Sequence, residues 1–153
     1  IRLGISPTEL YRELTTYPVK GAYVFLDACF SGGYKSAAPL LAQKGVRVVP
    51  KVGLPQGKTL SFSSSSGDQT SSVYHDKKQG YYTYFLIKTI KDARGDLSMK
   101  DLFERTSAAV KKATAMIGKM QEPQCMVSPT WFGWESLRLE TPVEPAPVAP
   151  QGE

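Results

Sequence analysis

Histidine and cysteine are scarce in this sequence of 153 residues. It has one histidine, His75, and two cysteines, Cys29 and Cys125. Two cysteines are too few for a disulfide framework, and with a single histidine they do not make a metal site. Low cysteine content is also typical of proteins from a reducing compartment, so we predict that the protein is cytoplasmic.

Long hydrophobic runs are absent as well. No apolar stretch approaches the length of a membrane span, and the N-terminus has no basic region followed by a hydrophobic stretch. We therefore expect no membrane partner and no targeting signal within these residues. The sequence starts at Ile1 rather than Met, with a helix signal only a few residues later, which indicates a piece of a longer protein.

The sequence also lacks a basic stripe, although its net charge is +5. Lysines and arginines are scattered, with only Lys77–Lys78 and Lys111–Lys112 adjacent, and they are not interleaved with aromatic residues. Scattered charge of this kind indicates a solvated surface rather than a face that binds nucleic acid. We therefore predict no nucleic-acid partner.

What the sequence does contain is typical of one globular domain. Hydrophobic residues make up 41% and charged residues 22% of the chain, and the length suits a single domain with its own core. Residues 141–153 hold four prolines and almost no apolar bulk. They predict a disordered linker or tail that follows a domain over residues 1–140.

Helix and strand signals along the chain indicate an α/β fold. Capping patterns predict where two helices begin. One pattern is Ser6 to Glu9, with Pro7 at the first helical position, and the other is Ser98 to Asp101. The predicted elements are a helix from Pro7 to about Thr16, strands at Tyr23–Leu26 and Thr59–Ser63, a helix from Gln79 to about Asp92, a long helix from Met99 to about Gly118, and an extended aromatic segment within residues 125–139.

The first strand leads directly to a cysteine. Tyr23 to Leu26 are apolar or aromatic without polar alternation, which predicts a strand covered on both faces, as in a parallel sheet flanked by helices. Ligands bind just past the carboxyl ends of such strands, where Cys29 would lie. A thiol there can be a nucleophile if its pKa is lowered or a base takes its proton. The alternative is that Cys29 is a small buried hydrophobic residue, as free cysteines often are.

The residues around Cys29 resemble a known motif. Residues Asp27 to Gly32, Asp-Ala-Cys-Phe-Ser-Gly, resemble the nucleophile motif of the caspase-like cysteine peptidases, especially the metacaspase and bacterial orthocaspase branch. Ser65 to Ser71 and Gly80 to Leu86 look like the conserved segments that follow in that family. The resemblance covers roughly residues 5 to 125. It implies a caspase-like three-layer sandwich, with a mostly parallel sheet flanked by helices, whose N-terminal strands are missing from this chain.

The resemblance also implies roles for individual residues. Cys29 would be the catalytic nucleophile, and its backbone N–H would be one donor to the oxyanion. Asp27 would line an acidic pocket for Arg or Lys, since a carboxylate forms a charge-assisted, bidentate pair with a guanidinium. Asp68 is a second candidate for that pocket, and its alternative role is a turn residue bonded to its own backbone. The expected substrates are peptides or proteins cleaved after basic residues.

The catalytic histidine of the family precedes the cysteine on an earlier strand, in a His-Gly pair. His75 follows Cys29 and does not match that position. We therefore expect the histidine on an upstream segment of the same domain, and we expect this chain alone to be inactive or nearly so. The rival interpretation is a catalytically inactive caspase-like scaffold or binding module.

No cofactor is implied. Eukaryotic members of the family are often activated by calcium bound through clustered acids, but no Asp or Glu occurs between Cys29 and Leu60. Because hard cations need several oxygen ligands, usually carboxylates, we predict no metal site in this part of the chain.

Overall fold

The computed structural model describes residues 5–28, 53–65, 69 and 71–139. The predicted tail over residues 141–153 lies outside them, as does Cys29. Both capping predictions and all five helix and strand predictions that precede the aromatic segment agree with the structure to within a few residues. The elements are α1 (Pro7–Thr15), β1 (Ala22–Leu26), β2 (Thr59–Ser63), β3 (Val73–Tyr74), β4 (Gln79–Gly80), α2 (Tyr81–Asp92), α3 (Met99–Ala115) and β5 (Gln124–Val127), with short 3-10 turns at His75–Lys77 and Trp134–Ser136.

Serine side chains begin two of the helices. Ser6 Oγ accepts a hydrogen bond from the backbone N–H of Glu9 at 3.2 Å, in front of α1. Ser98 Oγ accepts from the backbone N–H of Asp101 at 3.1 Å, in front of α3. These bonds satisfy N–H groups that have no partner within the helix, so they fix where each helix starts.

Three of the strands form one sheet in the order β1-β2-β5, with β1 parallel and β5 antiparallel to β2. The sheet of the described residues is therefore mixed. Phe62 lies opposite Phe25 on one side and Cys125 on the other. Strands β3 and β4 pair separately as a small antiparallel hairpin.

Alternation along β2 gives the sheet two different faces. The first, here called the aromatic face, carries Leu60 and Phe62 of β2 with their neighbours Phe25 and Cys125. Helices α2 and α3 pack on it, and its buried cluster consists of Leu60, Phe62, Tyr82, Leu97, Met99, Leu102 and Val110.

The opposite face carries Thr59, Ser61 and Ser63 and is here called the hydroxyl face. Helix α1 contacts it through Tyr11, which is fully buried and donates a hydrogen bond from its hydroxyl to Ser61 Oγ at 2.9 Å. Helices thus contact both faces of the sheet. All five residues of β2 are buried as a result.

Strand β1 is less covered than its sequence predicts. Tyr23 and Phe25 are 37% and 36% exposed, so the prediction of a strand covered on both faces is wrong for these side chains. Both lie on the aromatic face but at the edge strand of the described sheet, while α2 and α3 pack over the central strand. Tyr23 stacks on Trp131 at a ring-centroid distance of 5.9 Å, and Phe25 meets Phe62 edge-on at 5.5 Å.

None of the helices in the described ranges has the length and apolar character that crossing a bilayer requires.

Candidate active site

The candidate site lies at the edge of the sheet where β1 and β2 both end. Because the two strands are parallel, their carboxyl ends meet at one edge. Ser64, the first residue after β2, donates from its backbone N–H to Leu26 O at 2.9 Å and from its hydroxyl to Ala28 O at 3.2 Å. The loop after β2 is therefore bonded to the residue immediately before Cys29.

A buried glutamine is hydrogen-bonded to the backbone of that loop. Gln121, which follows α3 and is 1% exposed, donates from Nε2 to Ser64 O at 3.0 Å. Its Oε1 accepts from the backbone N–H of Ser72 at 2.9 Å. Ser64 and Ser71 are also in hydroxyl contact. The amide of Gln121 thus satisfies two backbone groups that have no partner in a strand or helix. It links residues 64 and 72, the two ends of the segment that is here called the serine loop.

Asp27 comes directly after β1, and its side chain is held by α2. Its Oδ2 accepts from Thr83 Oγ1 at 2.5 Å and from the backbone N–H of Thr83 at 3.3 Å. Thr83 is the third residue of α2, whose N-cap residue Gly80 has no side chain to cap the helix. The Asp27 carboxylate therefore occupies the place of a capping side chain while remaining exposed to solvent.

Gly80 leaves the space that this carboxylate fills. Its φ of −67° is one that any residue can adopt, so the backbone conformation does not require glycine. A β-carbon at residue 80 would instead overlap Asp27 Oδ2 and lie 3.0 Å from Asp27 Cγ. Close approach of the Asp27 side chain is the physical reason for glycine at this position.

One buried polar side chain of the aromatic face, that of Tyr82, lies near Asp27. Tyr82 is 2% exposed, and its hydroxyl has no hydrogen-bond partner among the described residues. Burial raises the pKa of Tyr82 well above its ordinary value, and the nearby charge of Asp27 raises it further. Tyr82 therefore stays protonated at neutral pH, and its hydroxyl can donate or accept a hydrogen bond.

The described cysteine is not suited to be a nucleophile. Burial raises the pKa of the Cys125 thiol to about 11, and the charge of Glu135 adds to that effect. Because the thiolate is the attacking species, a thiol with this pKa is almost entirely unreactive near neutral pH.

Of the three site residues that the sequence predicts, the structure describes only Asp27. Asp27 lies at the shared edge, directly after β1, where Ser64 of the following strand's loop bonds Leu26 and Ala28. Cys29 and Asp68 lie outside the described residues. His75 is exposed at the start of the 3-10 turn between β3 and β4. Among the residues that the structure describes, no three His, Cys, Asp or Glu side chains group as a metal site would require.

Sequence reasoning missed three residues that shape this edge, namely Gly80, Thr83 and Gln121. Gly80 and Thr83 belong to the segment Gly80 to Leu86, which the sequence identifies only by its resemblance to the caspase-like family and not by any contact with Asp27. The contact between Asp27 and Thr83 spans 56 residues, and that between Gln121 and Ser64 spans 57. No local pattern connects partners so far apart. The one available signal was a glycine, rather than Ser, Thr, Asp or Asn, before a strongly helical segment.

Comparison with known proteins gives a family but no individual relative. Neither the curated proteins nor the solved structures contain a significant match to this sequence. A family model described as the caspase domain matches residues 5–130. That range holds both strands of the candidate edge, the serine loop, α2 and Gln121. Since the match covers most of the sequence, the chain belongs to the caspase domain family of peptidases.

Proposed function

We propose that this protein is a cysteine endopeptidase that cleaves peptide bonds after Arg or Lys, with Cys29 as its nucleophile. Membership of the caspase domain family supports the reaction class. The proposed specificity for Arg and Lys is supported by one observation, the exposed carboxylate of Asp27. This residue lies two positions before Cys29 in the sequence, at the edge where β1 and β2 end.

The proposed reaction proceeds through an acyl-enzyme. The Cys29 thiol gives its proton to a histidine, and the resulting thiolate attacks the scissile carbonyl carbon. Backbone N–H groups, that of Cys29 among them, stabilise the oxyanion. The histidine then protonates the leaving amine as the C–N bond breaks, and water hydrolyses the thioester to regenerate the thiol.

The histidine in this proposal is the one that the family resemblance implies, on a segment upstream of residue 1. His75 is the alternative within the chain. It is exposed in a 3-10 turn, and among the described residues no carboxylate or carbonyl forms a hydrogen bond with its side chain. Substituting His75→Ala in active protein should leave turnover within about twofold. A loss of a hundredfold or more, in the range of general-base catalysis, would assign the role to His75 instead.

The proposed pocket is acidic. A substrate guanidinium or ammonium group pairs with the Asp27 carboxylate in a charge-assisted hydrogen bond, whereas a substrate aspartate would be repelled. Asp68 is the second candidate for this pocket or for holding its walls. The proposal thus predicts turnover of Arg and Lys peptides and none of the corresponding Asp peptides.

We also propose the finer assignment of the fold, a three-layer sandwich of the metacaspase and orthocaspase branch. It is supported by the contact of α1 with the hydroxyl face and of α2 and α3 with the aromatic face. The Asp-Ala-Cys-Phe-Ser-Gly motif at Asp27 to Gly32 supports the branch.

The test is hydrolysis of fluorogenic peptides that end in Arg, Lys or Asp. The protein is expressed with the coding sequence that precedes Ile1, and residues 1–153 alone serve for comparison, with little or no turnover expected from them. Cys29→Ala should abolish turnover, while Cys125→Ala, the matched control, should retain it. Asp27→Asn should weaken turnover of Arg and Lys peptides by about 100-fold, because a bound peptide would cover this exposed carboxylate and leave the substrate charge without its partner.

Two outcomes would overturn the proposal. Turnover that survives in Cys29→Ala would exclude this nucleophile. Absence of turnover of every peptide by folded protein, with and without calcium, would favour an inactive scaffold or binding module.

A further inference from the structure

We infer that Thr83 is a positioning residue for substrate recognition, because it fixes the Asp27 carboxylate in the orientation that receives a basic side chain. This inference rests on the proposed function, in which Asp27 binds the substrate. It assigns to the start of α2 a role in specificity that no local sequence pattern reveals.

The hydrogen bonds to Asp27 are directed at one oxygen. Both the hydroxyl and the backbone N–H of Thr83 donate to Oδ2, at 2.5 and 3.3 Å. Among the described residues, no hydrogen bond is formed to the other carboxylate oxygen, Oδ1 of Asp27. An exposed carboxylate held by one oxygen can present the other to a cation, and fixing its rotamer beforehand removes an ordering cost that binding would otherwise carry.

The way in which α2 is capped supports a functional reason for this contact. Helices α1 and α3 are capped by serines that immediately precede them, Ser6 and Ser98. Helix α2 instead has Gly80 at that position and receives its capping acceptor from Asp27, across 56 residues of sequence. A serine at residue 80 would cap the helix locally. It would also place a β-carbon where Asp27 Oδ2 lies.

Electrostatics favours the same arrangement. The start of a helix carries partial positive charge, and the 12-residue α2 directs the backbone N–H of its third residue, Thr83, toward Asp27. Hydrogen bonds to a carboxylate are stronger than those between neutral groups. Helix α2 can therefore hold the carboxylate in place at an exposed edge, where it would otherwise sample several rotamers.

The experiment measures binding of benzamidine, a small amidinium compound, to Cys29→Ala protein, so that the readout does not depend on catalysis. The protein includes the coding sequence upstream of Ile1, and binding is followed by calorimetry or NMR. Thr83→Val removes the hydroxyl with little change of shape and should weaken binding about tenfold, the effect of one hydrogen bond to a charged group. Thr83→Ser restores the hydroxyl and should bind within about twofold of the parent.

Thr89→Val is the matched control, since it introduces the same β-branched apolar residue near the other end of α2. It should leave the dissociation constant unchanged. Asp27→Asn should abolish detectable binding, which locates the probe at this carboxylate. Gly80→Ala is a second variant whose backbone φ suits alanine, and it should weaken binding at least as much as Thr83→Val by displacing the carboxylate.

Equal affinities of Thr83→Val and Thr89→Val in folded protein would overturn the inference and reduce Thr83 to a structural contact. Binding that survives in Asp27→Asn, or no binding by the parent, would overturn it as well. If peptide hydrolysis is absent but benzamidine binding depends on Asp27 and Thr83, the proposed reaction fails while the positioning role stands. In active protein, Thr83→Val should raise KM for Arg peptides more than it lowers kcat.

Discussion

Along the central strand β2, the aromatic and hydroxyl faces of the sheet are both buried, but they are built in different ways. On the aromatic face, Phe62 meets Phe103 at a ring-centroid distance of 5.1 Å and Trp134 at 6.5 Å, all within apolar surroundings. On the hydroxyl face, Tyr11 reaches Ser61 through a hydrogen bond. The alternating sequence Thr-Leu-Ser-Phe-Ser of β2 would suit a strand with one face in water, yet both faces are covered. Polar residues in a strand can thus be buried when a side chain from the next layer pairs with them.

The hydroxyl face also leads into the candidate site. Ser63, Ser64 and Ser65 are buried in succession as β2 ends. Within the hydroxyl face Ser61 meets the tyrosine of α1, whereas past the end of β2 Ser64 meets the carbonyl of Ala28 and the amide of Gln121. Apolar packing stabilises one side of the molecule, whereas hydrogen bonds fix the position of the edge that would carry the chemistry. Thr59, at the other end of β2, is an exception, because its buried hydroxyl has no partner among the described residues.

The largest effect should come from breaking the aromatic face. Phe62→Ala should lower the free energy of unfolding by about 3–5 kcal/mol, since it removes a buried ring and leaves a cavity. Phe62 is 1% exposed, whereas Phe132 is 88% exposed. Phe132→Ala is therefore the matched control, expected within about 0.5 kcal/mol of wild type. Urea denaturation measures both, and a loss below about 1.5 kcal/mol for Phe62→Ala would show that the face does not depend on this ring.

Removing the buried amide at the site edge should have the next largest effect. Gln121→Leu keeps similar bulk but leaves the Ser72 N–H and the Ser64 carbonyl without their partner. The expected loss is about 2–3 kcal/mol, because each unsatisfied buried group costs about 1–3 kcal/mol. The exposed Gln56→Leu should change stability by less than about 0.5 kcal/mol. A neutral Gln121→Leu would mean that water replaces both hydrogen bonds.

A smaller loss is expected from Tyr11→Phe on the hydroxyl face. It removes one buried hydrogen bond and should lower the free energy of unfolding by about 1–1.5 kcal/mol. Adding Ser61→Ala to Tyr11→Phe should cost little more, because both partners are then gone. If the two losses simply add in the double variant, the hydrogen bond does not couple the two side chains. Tyr17→Phe, at an exposed tyrosine, is the control.

The sequence was sufficient for the parts of the fold that depend on local signals. Ser6 and Ser98 cap helices where their patterns predict, and the apolar periodicity of α2 and α3 matches their observed extents. The antiparallel pairing of β5 and the small hairpin of β3 and β4 were not predicted, since pairing partners and two-residue strands leave little periodic signal. Family membership was also readable, because the motif around Cys29 is local in sequence.

The arrangement around Asp27 was only half predictable. Its place at the edge follows from a strand that ends at Leu26, but its attachment to Thr83 depends on how α2 docks against the sheet. The burial of Tyr23 and Phe25 was overestimated for a similar reason, as an apolar run does not reveal whether a strand is central or at the edge. Side-chain contacts between distant elements arise from packing of the whole domain, which the local sequence does not encode.

The smallest effect on the free energy of unfolding should come from the buried tyrosine of the aromatic face, Tyr82. It can be compared directly with Tyr11, the buried tyrosine that packs on the hydroxyl face. Tyr82 on the aromatic face is nearly as buried as Tyr11, but its hydroxyl has no partner among the described residues. Tyr82→Phe removes an unpaired buried hydroxyl and should leave the free energy of unfolding unchanged or raise it by up to about 1 kcal/mol at pH 7. A loss above about 1 kcal/mol would reveal a hydrogen-bond partner for this hydroxyl.

The pH dependence of the same variant tests the cause. Burial raises the pKa of Tyr82 in the folded protein, so above pH 10, near the ordinary tyrosine pKa, its hydroxyl ionises in the unfolded chain before it does so in the folded one. The unfolded state then binds fewer protons than the folded state, and wild type loses stability as the pH rises. Tyr82→Phe cannot lose stability in this way, so its advantage over wild type should grow from pH 9 to pH 11. An advantage that stays constant over this range would show that the Tyr82 hydroxyl is not held in an apolar environment.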